Sequence, residues 1–178
     1  MELIIIRHAE AVPRGQSDVN ADADRALTEH GHAQAHALMP ALQGRVARLD
    51  VILTSPLLRA RQTAEDLLER WPDPKPALRQ CEELAPDAKP GKLARVLRKL
   101  RKEWVALVGH QPDLSAHIAW LIGSKKAQLD LAKAGIARIT CAESPDKGTG
   151  TLVWLITPEW FMGQRPAFAV DSDRGAAL

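Results

Sequence analysis

Four side chains far apart in the chain, Arg7, His8, Arg59 and His110, are of the types that grip and attack a tetrahedral oxyanion. A guanidinium presents planar N–H donors that match phosphate oxygens. An imidazole set between two guanidinium groups has its charged form disfavoured, so the neutral, nucleophilic ring is expected near neutral pH. His8 is then able to attack phosphorus and form a phosphohistidine that water resolves. Arg7, Arg59 and a second imidazole, His110, would meet the charge on the equatorial oxygens. A ligand of charge about −2 would be held by several charge-assisted hydrogen bonds, each worth roughly 1.5 to 3 kcal/mol.

For this chemistry the chain must bring these residues together, and its patterning supplies a way. Leu3 to Ile6 is an uninterrupted aliphatic run of the kind found in strands buried on both faces, and it ends at Arg7-His8. Val51 to Thr54 and Trp104 to Val108 are further short buried strands. The first of these runs into Ser55-Pro56, with Ser suited to an N-cap and Pro to the first helical position, and the second into Gly109-His110-Gln111-Pro112.

Thr28 is suited to cap a helix whose apolar residues Ala35, Leu38, Met39 and Leu42 recur at helical spacing up to Gly44. Leu57 to Trp71, Leu93 to Leu100 and Leu114 to Ile122 carry similar stripes. Pro72 to Pro90 reads as a long connection, and Ile136 to Cys141 and Thr151 to Ile156 as two more strands joined by the loop Ala142 to Gly150. Alternating strands and helices predict a three-layer α/β/α sandwich with a mostly parallel sheet, in residues 1–163, followed by a C-terminal tail at 164–178. Such sheets bind ligands beyond the carboxyl ends of their strands, where Arg7-His8, Ser55 with Arg59, and Gly109-His110 converge. The helix starts beyond Ser55 and Pro112 add unpaired backbone N–H groups suited to an anion.

Composition excludes several other classes. With 178 residues, 46% of them hydrophobic and 26% charged, the chain suits one folded domain. A net charge of +2, with five Trp, two Phe and no Tyr, argues against nucleic-acid coating or base stacking. No apolar run reaches the ~18 residues of a membrane span, and Leu3 to Ile6 is too short for a signal peptide. Cys81 and Cys141 have no metal or redox spacing, so a cytoplasmic setting is expected.

The segments Arg7-His8-Ala9-Glu10, Arg25 to Gly31, Ser55 to Ala64 and Val108 to Pro112 together resemble the histidine phosphatase, or phosphoglycerate mutase-like, superfamily. Within it the chain is most similar to the short SixA-type phosphohistidine phosphatases, from Met1 to about Thr157. The resemblance implies that His8 is the phosphorylated nucleophile, that Arg7 and Arg59 grip the phosphate, and that His110 completes the pocket. No cofactor is expected. Gln111 stands where acid phosphatases of the superfamily carry a proton-donating Asp, which argues against an acid-phosphatase or phytase role. Mutase-like members use a Glu from the middle of the chain, for which Glu82 or, preferably, Glu83 is the candidate here.

Imidazole, with a reference pKa near ~6.5, leaves far more readily than an alkoxide and needs less help from an acid. A short chain without a large inserted lid should also have an open pocket that admits a side chain of another protein. The expected substrate is therefore phosphohistidine on a partner protein, such as a phosphocarrier. The alternatives are a phosphatase or mutase for a small phosphorylated metabolite, or a phosphate-binding module without turnover.

His32 and His36, four apart on one helix, share a face on which a metal could sit, but no third ligand lies near in sequence, so no metal site is expected. His30 and His117 read as surface or packing residues. Lys92, Arg95, Arg98, Lys99, Arg101 and Lys102 form a basic helix face, either simply solvated or a docking surface for an acidic partner.

Overall fold

The computed structural model describes residues 1–15 and 21–163. Among them, β1 (Glu2–Arg7), β2 (Val51–Thr54), β3 (Ala77–Gln80), β4 (Trp104–Gly109), β5 (Ile136–Cys141) and β6 (Gly150–Ile156) form one sheet in the order β3-β2-β4-β1-β5-β6. β3, β2, β4 and β1 run parallel to one another, while β5 is antiparallel to β1 and to β6. The parallel part thus carries an antiparallel hairpin on one edge, as a short β5–β6 loop dictates.

Helices α1 (Glu29–Leu42) and α2 (Leu58–Arg70) cover one face, and α3 (Pro90–Leu100) and α4 (Asp113–Leu121) cover the other. The strand period of two explains how one short run serves both layers. Ile4 and Ile6 pack under Leu38, Leu42 and Leu67, while Leu3 and Ile5 pack under Leu97, Ile118 and Leu121. All four aliphatic residues of β1 are fully buried, each stabilising the fold by roughly 1.5 to 3 kcal/mol. No helix among the described residues is long and apolar enough to cross a membrane.

Two expectations need correction. β3 lies inside the stretch read as a connection, because its side chains are mostly exposed and it forms the sheet edge, so no apolar alternation marks it. α2 starts at Leu58 rather than at Pro56, with no side-chain cap. Ser55 is fully buried and its hydroxyl faces His110, so it stays with the strand end rather than capping the helix. The expected tail at 164–178 lies outside the described residues.

Thr28 does cap α1, its Oγ1 accepting from Gly31 N at 3.0 Å. The same hydroxyl donates to Glu10 Oε1 at 2.9 Å, and Thr28 N donates to Glu10 O at 3.1 Å. Gly31 is needed at this junction, since a Cβ there would come within 1.9 Å of Glu10 O. The start of α1 is therefore fastened directly to the loop that leaves β1 and carries His8.

Candidate active site

β2, β4 and β1 are neighbours in the sheet, so their carboxyl ends bring Ser55, His110 and Arg7-His8 to one place. His8 N donates to Gly109 O at 3.0 Å, Ala9 N donates to Thr63 Oγ1 at 3.0 Å, and Ala134 N reaches both Arg7 O and His8 O at 3.2 Å. The His8 backbone is thereby held from β4, from α2 and from the segment before β5.

The hydrogen bonds of the His8 ring select one tautomer. Nδ1 lies 2.7 Å from Ala9 O, a group that only accepts, so Nδ1 carries the proton. Arg59 Nε donates to His8 Nε2 at 3.3 Å, which leaves the Nε2 lone pair as the nucleophilic position. The His110 ring centroid lies 5.1 Å from that of His8, and His110 Nε2 shares a 2.8 Å hydrogen bond with Ser55 Oγ.

Burial, reinforced by Arg59, Arg7 and Arg25, lowers the His8 pKa from 6.5 to about 4. Burial, reinforced by His8 and Arg59, lowers that of His110 to about 3. The neutral ring expected from the sequence is present, but exclusion from water contributes more to it than the guanidinium groups do.

Arg59 is 3% exposed, on the first turn of α2, and Thr63 Oγ1 donates to its carbonyl one turn later at 2.7 Å. Arg7 Nη1 donates to Leu131 O at 2.9 Å, while Arg7 Nε is buried without a protein partner. A buried donor of this kind costs free energy unless an acceptor reaches it, and a phosphate oxygen would serve. Burial lowers the pKa of both arginines, yet a guanidinium remains charged at any ordinary pH.

Arg7, His8, Arg59 and His110 all line one cleft of about 560 Å³, together with Arg14, Arg25 and Lys133. Asp22 binds three of the arginines at once: Arg14 Nε at 2.7 Å and Arg25 Nε at 2.8 Å on Oδ1, and Arg59 Nη2 at 3.2 Å on Oδ2. Arg59 Nη1 also donates to Asp22 O at 2.8 Å. These contacts, led by the hydrogen bond from Arg14, hold the Asp22 carboxyl well below the usual carboxylate range.

The sequence reading assigned no role to Arg14, Arg25, Lys133 or Asp22. Arg25 belongs to one of the quoted segments and was legible as a candidate. Lys133 comes from the turn before β5 and carries no local signal.

Glu83 does not line the cleft. It belongs to a short 3-10 turn at Glu82–Leu84, its Oε2 accepts from Cys81 Sγ at 3.5 Å, and it borders a separate small space on the other side of His110. The carboxylates that do line the cleft are Asp87 and Asp113, with Asp113 Oδ2 accepting from Asp87 N at 3.2 Å. Gln111 also lines it, but both ends of its amide are engaged by Ser115, at 2.6 and 3.1 Å, in the first turn of α4. Glu10, two residues after His8, turns to Thr28 rather than into the cleft. His117 is buried and stacks on Trp120 with ring centroids 6.3 Å apart, a packing role as expected.

Comparison with known proteins places the chain in a family. The sequence matches the model of the histidine phosphatase superfamily (branch 1) over residues 3–86. It is 30% identical to the phosphohistidine phosphatase SixA of Escherichia coli over 161 residues, covering 89% of this chain and 94% of that protein. It is 38% identical over 172 residues to an uncharacterized protein of Picosynechococcus sp., covering 91% and 99% of the two chains.

The solved structure of the protein histidine phosphatase SixA complexed with tungstate superposes with a TM-score of 0.76 at 27% identity, covering 89% of this chain and 97% of that one. An alpha-ribazole phosphatase from Shigella flexneri shares the fold with a TM-score of 0.66 at 22% identity, covering 89% and 97%. The similarity to SixA in sequence and in structure supports phosphatase activity, and the alpha-ribazole phosphatase shares the fold. The chain belongs to the histidine phosphatase superfamily (branch 1).

Proposed function

We propose that this protein removes phosphate from phosphohistidine on a partner protein, through a phosphohistidine formed on its own His8. The observation that carries the reading is the unprotonated Nε2 of a neutral His8, accepting from Arg59 in a cleft bordered by further cationic side chains. In the first step the Nε2 lone pair attacks phosphorus, and the bond from phosphorus to the substrate imidazole breaks. The leaving imidazole takes its proton from solvent. In the second step water attacks phosphorus, the bond to His8 Nε2 breaks with its electron pair returning to the ring, and inorganic phosphate departs.

Arg7 and Arg59 neutralise charge on the equatorial oxygens throughout, in a setting where water competes little for their donors. Imidazole as leaving group fits a site in which Gln111 is occupied by Ser115 and Glu83 lies outside the cleft. The similarity to the Escherichia coli protein named phosphohistidine phosphatase supports the same substrate class. The free, buried Cys81 and Cys141 support a reducing, cytoplasmic setting.

A second reading, a phosphatase for a small phosphorylated metabolite, is favoured by Asp87 and Asp113 at the cleft, since a carboxyl group there would supply the proton an alkoxide needs. The test is turnover of a phosphohistidine-labelled carrier protein against a panel of sugar phosphates, nucleotides and phosphoserine, with His8→Ala as the blank. Preferential loss of label from the carrier, absent with His8→Ala, is expected. Retention of the label alongside rapid turnover of one monoester would replace the first reading by the second. Loss of label at equal rates with His8→Ala would remove the first reading, and monoester turnover equal in His8→Ala and wild type would remove the second.

A further inference from the structure

Away from the cleft, α1 and α2 lie side by side, and two pairs of side chains meet across them. His32 and His36 stand one turn apart on α1, and Asp66 and Glu69 stand one turn apart on α2. His32 Nδ1 lies 2.7 Å from Asp66 Oδ2, and His36 Nε2 lies 3.8 Å from Asp66 Oδ1 and 3.9 Å from Glu69 Oε2. One ligand atom from each of His36, Asp66 and Glu69 falls within 4.8 Å of the others. The third and fourth groups come from the neighbouring helix, which is why the spacing of His32 and His36 alone did not reveal them.

We propose that this cluster binds a divalent zinc-type ion that joins α1 to α2. His36 Nε2, Asp66 Oδ1 and a Glu69 carboxylate oxygen are the ligands, and His32 holds the other oxygen of Asp66 in the manner of an outer partner that fixes a ligand's orientation. Imidazole together with carboxylate suits zinc, and the nitrogen donor argues against magnesium or calcium, which take oxygen ligands.

Tetrahedral coordination at about 2.0 Å needs ligand atoms about 3.3 Å apart. Glu69, with its side chain 75% exposed, is free to move in by a change of rotamer. The Asp66 side chain is only 14% exposed, and among the described residues no lysine or arginine lies within ion-pair distance of it. Its charge is therefore met only by imidazoles, whose own charge is conditional, and a divalent ion would meet it fully.

The ion would act on stability rather than on chemistry. α1 is fastened to the His8 loop through Thr28 and Gly31, and α2 carries Arg59 and Thr63, so a clip between the two helices would brace the segments that hold His8 and Arg59 without touching substrate.

The test is calorimetric titration of zinc chloride into tag-free protein previously treated with a chelator, paired with thermal denaturation. One ion per chain and a rise in melting temperature are expected, with phosphatase turnover retained after chelation. His36→Ala and Asp66→Asn should abolish both signals, and His32→Ala should weaken binding by roughly 10- to 100-fold. His8→Ala, which disrupts the other close pair of imidazoles, should leave zinc binding unchanged. Magnesium should give neither signal. No zinc binding in wild type, equal binding in His36→Ala and Asp66→Asn, or loss of binding in His8→Ala would each overturn the proposal.

Discussion

His8 and His110 stand at the carboxyl edge of the sheet, excluded from water, with Arg7, Arg25 and Arg59 around them. His32 and His36 stand on the outer side of α1, partly exposed, opposite Asp66 and Glu69. The side chain is the same in both pairs, and the surrounding charge decides what it can receive. Among guanidinium groups a neutral imidazole has a lone pair to offer and an anion is the welcome ligand. Among carboxylates the same ring is placed to join the proposed site for a cation. The difference shows that a pair of histidines has no function of its own until the neighbouring helix or strand supplies the sign of the field.

The largest effects should follow from damaging the cationic pair of the comparison. His8→Ala removes the proposed attacking atom and should lower turnover by roughly 10⁴-fold or more, with a label from a phosphodonor no longer trapped on the protein. Arg59→Ala leaves the ring in place but removes charge stabilisation, with an expected loss of roughly 10² to 10³ in kcat. Steady-state kinetics on one substrate measures both. A His8→Ala variant with more than a tenth of wild-type turnover would end the assignment of the nucleophile. His36→Ala on the outer pair should leave turnover unchanged, and a loss there comparable to that of Arg59→Ala would erase the distinction between the two regions.

Much of this arrangement was legible in the sequence, for a reason that also explains the misses. Leu3 to Ile6, Val51 to Thr54 and Trp104 to Val108 are central strands, buried on both faces, and each is written as an unbroken apolar run that stops where the site begins. β3 pairs on one side only and faces solvent, so Ala77-Leu78-Arg79-Gln80 carries no such run. Ser55 looked like a helix cap because a cap and a buried partner of His110 call for the same small hydroxyl. Glu83 was preferred from position along the chain, but position does not say which way a carboxylate turns, and this one turns to Cys81. Asp66 and Glu69 were invisible as partners of His32 and His36 because helix packing, not spacing, brings them together.

The buried imidazoles also set a dependence on acid, intermediate in size. The His8 pKa of about 4 places the acid limb of kcat/KM for the free enzyme near pH 4 rather than near 6.5, since protonation of Nε2 removes the lone pair. Stability should follow the same sign. His117, 2% exposed and with neither ring nitrogen bonded, has its pKa lowered by burial to about 4. Its unfolded form takes up a proton below about 6.5 while the folded form does not. Stability is therefore complete above pH 6.5 and is lost as the pH falls toward 4, by roughly 2 to 4 kcal/mol for this residue. Chemical denaturation at pH 7 and pH 4.5 should show a smaller acid loss in His117→Leu than in wild type. An equal loss in the two proteins would show that His117 is already charged in the fold.

The smallest expected effect probes Asp22, a carboxylate paired with three of the guanidinium groups and so an exception within the cationic region. It does not line the cleft, and it uses its two oxygens and its carbonyl to fix Arg14, Arg25 and Arg59. A brace of this kind spares the substrate the cost of ordering long side chains, which amounts to roughly 0.5 to 1.5 kcal/mol for each one immobilised. Asp22→Asn keeps the size and part of the hydrogen bonding but removes the charge that holds three arginines together. It should weaken competitive inhibition by inorganic phosphate about 3- to 10-fold, raising KM more than it lowers kcat. The opposite result, tighter phosphate binding in Asp22→Asn, would mean that the carboxylate competes with substrate for Arg59 rather than presenting it. Such a result would carry the rule drawn from the two histidine pairs one step further, because a single acidic group would then be enough to oppose an anion inside a field made of arginines.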